Sequence, residues 1–402
     1  MLALEAALQR ILEAVPRPRP ETVQLPEAGG RFALESIDAP MDLPPFDNSA
    51  MDGYAVRSED VAAAGAGQPV KLALSGRIAA GQTAGRALEP GQCLRIFTGS
   101  PLPVGADAVV MQEDVRLPDH SGGNYVEVVE RVRPWENVRF RGEDVRTGSR
   151  LIEAGERIGM GQLTLLSATG KSSVSVGSQP LVGLMATGSE LREPGTRLEP
   201  GQIYESNRLG LAHLTRAAGG VPRPFSLVRD DPEETRRALE KALEEVDYLV
   251  TSGGASVGEF DLVKEAFAAL DGTVTFWKVA IKPGKPFVFG RLANKLFFGL
   301  PGNPVSSLVT FLLLVRPALL RFQGARDVAL SASQGVLGAG VENPGDRRHF
   351  MRVKLNADGM VWPCARQGSH MMSSLAGANG LIDVPPGMRL ATGCPVSVFR
   401  WD

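Results

Sequence analysis

A short apolar run, Val246-Asp-Tyr-Leu-Val250, leads straight into Thr251-Ser-Gly-Gly-Ala-Ser-Val-Gly-Glu-Phe-Asp261. The next residues, Leu262 to Leu270, have helical periodicity. A buried strand, a glycine-rich loop and a helix in this order confine the segment to an α/β layer with a parallel strand. The glycines let backbone pass close to a ligand, and the helix start aims free N–H groups at an anion. The loop lacks the Gly-Lys-Ser/Thr end of a Walker A loop and the spacing of a dinucleotide turn. It carries two carboxylates, Glu259 and Asp261, where a phosphate would sit. Carboxylates beside a phosphate site point to a bridging divalent cation.

Two further segments have the same form. Pro180 to Ala186 is an apolar strand that ends in Thr187-Gly-Ser-Glu190, and Leu296 to Leu300 is one that ends in Pro301-Gly-Asn-Pro304. Asn303 suits a helix N-cap and Pro304 the first helical position. One such loop alone reads equally well as ordinary turn chemistry. Three together predict a crevice at the carboxyl ends of an open sheet, where α/β proteins bind ligands.

Composition narrows the function classes. A chain of 402 residues exceeds one typical core, so two to four domains are expected. A net charge of −2 argues against nucleic-acid binding by bulk positive charge. The longest apolar run, Leu308 to Val315, is too short to span a bilayer, and the first ten residues form an amphipathic helix rather than a signal peptide. No membrane partner is expected. Cys93, Cys364 and Cys394 are odd in number and far apart, which fits a reducing cytoplasm better than a disulfide framework. Only nine lysines stand against 34 arginines, yet Lys278, Lys282 and Lys285 cluster in Trp277-Lys-Val-Ala-Ile-Lys-Pro-Gly-Lys-Pro286. Lysine is a compact point charge suited to a small oxyanion. The alternative is a solvated basic turn.

The expected architecture is multidomain, α/β plus β. Residues 1–44 with 142–176 form a discontinuous linking domain, 45–141 a β-rich domain, 177–324 an α/β/α domain and 325–402 a small C-terminal β domain. Asp231-Pro-Glu-Glu opens a helix through Val246, and Ser206 to Ala218 is a helix closed by Gly219-Gly220. His213 and His120 read as structural. His370 is the better site candidate, and Met371-Met372 reads as core or groove lining.

Taken in order, eight strings resemble the molybdopterin molybdenumtransferase family, the MoeA-type enzymes that include the E domain of gephyrin. They are Asp47-Asn-Ser-Ala-Met-Asp-Gly-Tyr-Ala55, Thr98-Gly-Ser-Pro101, Gly142-Glu-Asp144, Ala186-Thr-Gly-Ser-Glu-Leu191, Tyr204-Glu-Ser-Asn207, Thr251 to Gly258, Lys282-Pro-Gly-Lys-Pro286 and Gly299-Leu-Pro-Gly-Asn-Pro-Val-Ser306. The resemblance implies an elongated homodimer with β-rich N-terminal lobes, a central molybdopterin-binding α/β/α domain and a C-terminal β-barrel. Its active site is shared between subunits. The implied reaction inserts molybdate into adenylylated molybdopterin, with Mg²⁺, and releases AMP. Molybdopterin adenylyltransferase is the implied protein partner. It is also the runner-up activity, beside a gephyrin-like scaffold.

The same resemblance assigns roles. Asp52, Thr98, Asp144, Asp261, Lys278, Lys282 and Lys285 are the catalytic candidates. Ser252, Gly253, Gly254, Ser256, Pro301, Gly302, Asn303, Pro304 and Ser306 bind substrate. Ser373 or Ser374, with Arg348 or Arg352, completes the oxyanion site. Glu190, Asp230 and Asp261 hold the metal.

Overall fold

The computed structural model describes residues 1–83, 85–117, 124–253 and 262–401. Its internal contacts divide into two compact units. One comprises Met1–Glu35, Ala154–Gly159 and Ser173–Asp402, and the other Ser36–Glu153 and Met160–Ser172.

The first unit is built on a six-stranded sheet with strands β1 (Leu181–Ala186), β2 (Val221–Pro224), β3 (Tyr248–Ser252), β4 (Thr273–Lys278), β5 (Pro286–Leu292) and β6 (Lys295–Leu300). Their spatial order is β2-β1-β3-β6-β5-β4. The first four in that order run parallel, β5 pairs antiparallel with β6, and β4 pairs antiparallel with β5. The chain leaves β1 towards β2 on one side and returns to β3 on the other. The β1–β3 junction is therefore a topological switch point, the usual place for a ligand crevice.

Helices α1 (Leu4–Ala14), α2 (Asn207–Ala217), α3 (Pro232–Glu245), α4 (Leu262–Ala269) and α5 (Pro304–Phe322) cover both faces. Leu4, Ile11, Leu211, Val305, Leu319 and Phe322 share one core with the sheet, and Leu239, Leu243, Val263 and Phe267 share the other. Each helix forms for local reasons. In α3 the Asp231 carboxylate accepts the Glu234 N–H at 2.7 Å, and Pro232 takes the first turn. Its Thr235, Leu239, Ala242 and Leu243 recur at helical spacing and are buried. Gly219, at φ +80°, ends α2 as expected. Asn303 occupies the N-cap position of α5 but makes no side-chain cap, so Pro304 and the core set that helix start. By length and composition α5 could cross a membrane, yet 78% of its most apolar window is buried inside this unit.

Five strands, β7 (Ser331–Leu337), β8 (Arg348–Leu355), β9 (Met360–Pro363), β10 (Gly380–Val384) and β11 (Pro395–Arg400), come next in the same unit. They close in the order β8-β9-β7-β11-β10, with β10 pairing back onto β8, so the C-terminal element is a five-stranded barrel. Val353, Val361, Ile382 and Val398 alternate into its core. One barrel strand reaches the lysine segment, where Ile281 and Lys282 pair with Arg348 and His349.

The second unit holds a six-stranded sheet ordered Ala108–Met111, Gly53–Val56, Gln92–Ile96, Val70–Ile78, Tyr125–Val128 and Val115–Arg116. Gly53 comes directly after the Asp47–Asp52 turn. A Cβ at that position would lie 2.0 Å from the Val110 carbonyl oxygen, so only glycine lets the turn enter the sheet there.

Candidate active site

Register brings the three strand ends together. Ala186 pairs with Ser252, and Ser252 pairs with Leu300. The sequence places Thr251 and Ser252 in a loop, but both are the last residues of β3 and both are buried. Gly253 then turns at φ +94°, with the position of a Cβ only 2.4 Å from the Thr187 carbonyl oxygen. Gly302 comes against Gly253 from the third strand end, where an added Cβ would be 3.6 Å from the Gly253 Cα. Glycine at 253 is what allows the loops after β1 and β3 to touch.

Asn207 locks this arrangement. It opens α2, and its Nδ2 donates to Ser252 Oγ at 2.7 Å and to the Gly302 carbonyl at 2.8 Å. Its Oδ1 and the Thr187 Oγ1 are buried polar atoms with no partner among the described residues. An orphaned amide oxygen and an orphaned hydroxyl at the rim of a cleft fit a polar ligand or a bound water network. The cleft measures about 800 Å³ and is lined by Thr187, Glu190, Asp230, Ser252, Gly253, Pro301, Gly302, Asn303, Pro304, His370 and Met372, among others. At its wall, buried Glu205 accepts both the N–H and the Nε of buried Arg208 at 2.8 Å. That pair fixes the start of α2.

A second cavity of about 600 Å³ adjoins the first, sharing Pro286, Pro301 and Asn303. Lys282, Lys285, Ser306, Arg347, Gln367 and Ser369 also line it. Both lysines are exposed. Their loop is seated on α5 by Gly284, where φ is +112° and a Cβ would be 2.3 Å from Thr310 Cγ2. Two ammonium groups, a guanidinium and a buried hydroxyl therefore face one concavity beside the strand-end cleft. This is donor chemistry for a small oxyanion.

The barrel arginines lie elsewhere. Arg348 is held by Asp383, with Nε to Oδ2 at 3.0 Å, and by Glu5. These carboxylates raise its already high pKa. Arg352 is fully buried, donating to Ser374 Oγ at 2.8 Å and to the carbonyls of Arg366 and Gly368. Ser374 is consumed in that network, donating to the Met371 carbonyl, and Ser373 is exposed off the cavity lining. The arginine on the cavity is Arg347, whose Nη1 donates to the Ile281 carbonyl at 3.0 Å. Lys278 lines neither cavity, and its ammonium lies 3.5 Å from the Trp277 ring centroid. Gly254, Ser256 and Asp261 lie outside the described residues, as does His120.

In the second unit the Asp52 carboxylate accepts both the Thr98 N–H and the Thr98 hydroxyl at 2.8 Å. The backbone bond, then the hydroxyl, lowers the Asp52 pKa and keeps the group ionised. Asp144 lines a shallow cavity of about 400 Å³ with Asn48, Gly99 and Arg139. Asp42 organises this region. Its Oδ1 accepts the N–H and hydroxyl of Thr147, which with Arg141 lowers its pKa to about 2.

Two of the three proposed metal ligands, Glu190 and Asp230, share the strand-end cleft. Asp230 accepts the Ser189 N–H at 2.9 Å through Oδ2. Glu190 folds over Gly188, where a Cβ would meet its Oε2 at 2.6 Å. Among the described residues no group of three His, Cys, Asp or Glu could hold a metal. Two carboxylates on one open cleft fit a hard cation that keeps waters and takes further oxygens from its substrate.

Family profiles cover the chain almost end to end. The MoeA N-terminal region (domain I and II) matches residues 2–170, the probable molybdopterin binding domain residues 183–321, and the MoeA C-terminal region (domain IV) residues 334–401. Molybdopterin molybdenumtransferase 2 of Mycobacterium tuberculosis is 38% identical, over 98% of both chains. The molybdopterin molybdenumtransferase of Haemophilus influenzae is 38% identical over 95% of this chain and 94% of its own. The crystal structure of the molybdopterin biosynthesis MoeA protein from Pyrococcus horikoshii superposes with a TM-score of 0.83 at 36% identity, covering 100% of this chain and 99% of that one. By profile, by sequence and by fold, the chain belongs to the molybdopterin molybdenumtransferase family.

Proposed function

We propose that this protein inserts molybdate into adenylylated molybdopterin, releasing AMP and leaving molybdenum cofactor. The observation that carries the reading is the pair of adjoining cavities. One is a glycine-backed cleft at a sheet switch point, and the other a lysine-lined concavity that shares its wall. The cleft suits a pterin nucleotide with its pyrophosphate against the Gly253 and Gly302 backbone. The lysine cavity suits a tetrahedral dianion.

Lys282, Lys285 and the Ser306 hydroxyl bind and orient molybdate in this reading, and Arg347 adds a planar donor set. Glu190 and Asp230 hold Mg²⁺, with Asp261 as the third expected ligand. Bound there, the cation supplies charge stabilisation for the leaving phosphate. Asp52, fixed by Thr98, and Asp144 act from the N-terminal lobe of a second subunit, which makes the functional unit a homodimer. The three cysteines suit a cytoplasmic location, where molybdopterin adenylyltransferase hands over the substrate.

Nucleotide balance tests the reading. Wild-type protein should release one AMP per adenylylated molybdopterin when molybdate is added and should need no ATP. ATP consumption with unmodified molybdopterin, and no AMP release with molybdate, would instead identify an adenylyltransferase.

A further inference from the structure

A third cavity, of about 540 Å³, opens between the end of α2 and the middle of α5. It shares no lining residue with the strand-end cleft or the lysine cavity. Along α5 it lies around Arg316, about 18 Å from Pro304 at the usual helical rise. Its ionisable lining is Arg157, Arg316, Arg326 and Arg400 against Glu156 and Asp327, an excess of two positive charges. The whole chain carries −2, so this surface departs from the molecule's average.

Arg316 is the informative residue. It is the only charged side chain before Arg321 in α5, the one helix among the described residues long and apolar enough to cross a membrane. Residues Phe311–Val315 form a π turn immediately before it, and Pro317 comes directly after it. Proline has no N–H to continue the ladder, and a π turn adds one residue to the helix, rotating the next turn by about 100°. Leu312, Arg316 and Leu320, spaced four residues apart, all line the cavity wall. Arg316 Nη1 donates to the carbonyls of Val328 at 3.0 Å and Ala329 at 3.2 Å, leaving Nη2 and Nε without an acceptor among the described residues. Burial, and then the charge of Arg157, lowers its pKa. The half-buried guanidinium therefore has the like charge of Arg157 beside it, offset in part by the Asp327 carboxylate, and an incoming anion would relieve what remains. Trp401 and Leu214 add apolar surface to the same cavity.

We propose that this cavity binds a small organic anion, its phosphate or carboxylate head on the Arg157–Arg316–Arg326 cluster and its flat apolar body against Trp401 and Leu214. Planar guanidinium groups grip either head through paired N–H donors. The site is separate from the proposed reaction cleft and does not depend on that reading.

Calorimetric titration of the full-length protein at low salt tests it, with phenyl phosphate, benzoate and inorganic phosphate as probes. At least one aromatic anion should bind one-to-one and at least tenfold tighter than inorganic phosphate, and the tighter of the two names the head group. Arg157 and Arg326 are exposed, and Arg157 gives up only a 3.2 Å bond from its Nε to the Gly30 carbonyl, so Arg157→Gln/Arg326→Gln should fold normally and weaken that binding at least tenfold. Trp401→Ala should bring the aromatic probe down to the level of inorganic phosphate. Lys282→Ala/Lys285→Ala should leave it unchanged. No heat at millimolar probe, or binding lost in the lysine variant and kept in the arginine variant, would overturn the proposal.

Discussion

Replacing Lys282 or Lys285 by alanine should raise the molybdate concentration for half-maximal AMP release by roughly five- to thirtyfold. The size comes from where the ammonium groups are. Both lysines line the oxyanion cavity, and both are exposed. A unit charge about 4 Å from a dianion in bulk water gains about 2 kcal/mol, and physiological salt with a Debye length near 8 Å reduces this to somewhat over 1 kcal/mol. A deeply buried pair would gain far more, so the exposure sets the modest figure. The loss is one of ground-state binding, and excess molybdate should restore part of the rate. Raising ionic strength should shrink the difference between variant and wild type. Lys→Arg should rescue poorly, because a planar fork does not replace a compact charge. The assay is a molybdate titration of AMP release at two salt concentrations. An unchanged half-saturation point in both alanine variants would remove the lysines from the oxyanion site.

The geometry sets four other outcomes. Gly253→Ala drives a Cβ to 2.4 Å from the Thr187 carbonyl oxygen at φ +94°, whereas Gly302→Ala meets only ordinary contact at 3.6 Å. The first should cost about 1–3 kcal/mol and most of the activity, the second much less, and equal losses in denaturation and turnover would contradict the loop packing. Glu190→Gln and Asp230→Asn should each cut turnover strongly and raise the Mg²⁺ requirement with circular dichroism unchanged; near wild-type rates across a Mg²⁺ titration would strip either of its metal role. Asp52→Ala and Glu190→Gln subunits, each inactive alone, should regain part of the activity when exchanged. An exchanged mixture that stays inactive would place the site in one chain. Burial, then Lys282 and Arg352, lowers the pKa of buried His349 from 6.5 to about 4. Between those values the unfolded chain takes up a proton that the native protein does not. Stability should therefore fall as pH drops through that window, by at most about 1.4 kcal/mol per pH unit, and stay flat above 6.5. His349→Gln should flatten the slope, and an identical slope in the variant would dismiss the linkage.

Local signals carried most of the fold. The strands at Leu181, Tyr248 and Lys295, the Asp231 cap and the Gly219 stop all rest on near neighbours in sequence, and apolar periodicity finds them. Their convergence was also legible, because parallel strands with crossover helices leave few topologies. What sequence could not show were partners that meet only in the fold. Arg348 lies two residues from the strand position facing Asp383 and is also met by Glu5, from the other end of the chain, so its neighbour Arg347 takes the cavity instead. Arg352 looks like a free cation in an alternating strand, yet Ser374 and two carbonyls enclose it. Asn207 was visible only as the end of a family string. Its bonds to Ser252 and Gly302 join residues 45 and 95 positions away. The asparagine at a helix start was the available hint, and capping was its ordinary explanation.

The central claim is that oxyanion and pterin nucleotide meet in adjoining cavities of the first unit. Anomalous diffraction from crystals soaked in tungstate, a near-isosteric stand-in for molybdate, tests it most directly. One strong anomalous peak should appear within hydrogen-bonding distance of Lys282, Lys285 and Ser306 and be lost in the double alanine variant. A peak that forms only at the Arg316 cavity or in the second unit, with the lysine cavity empty, would contradict it.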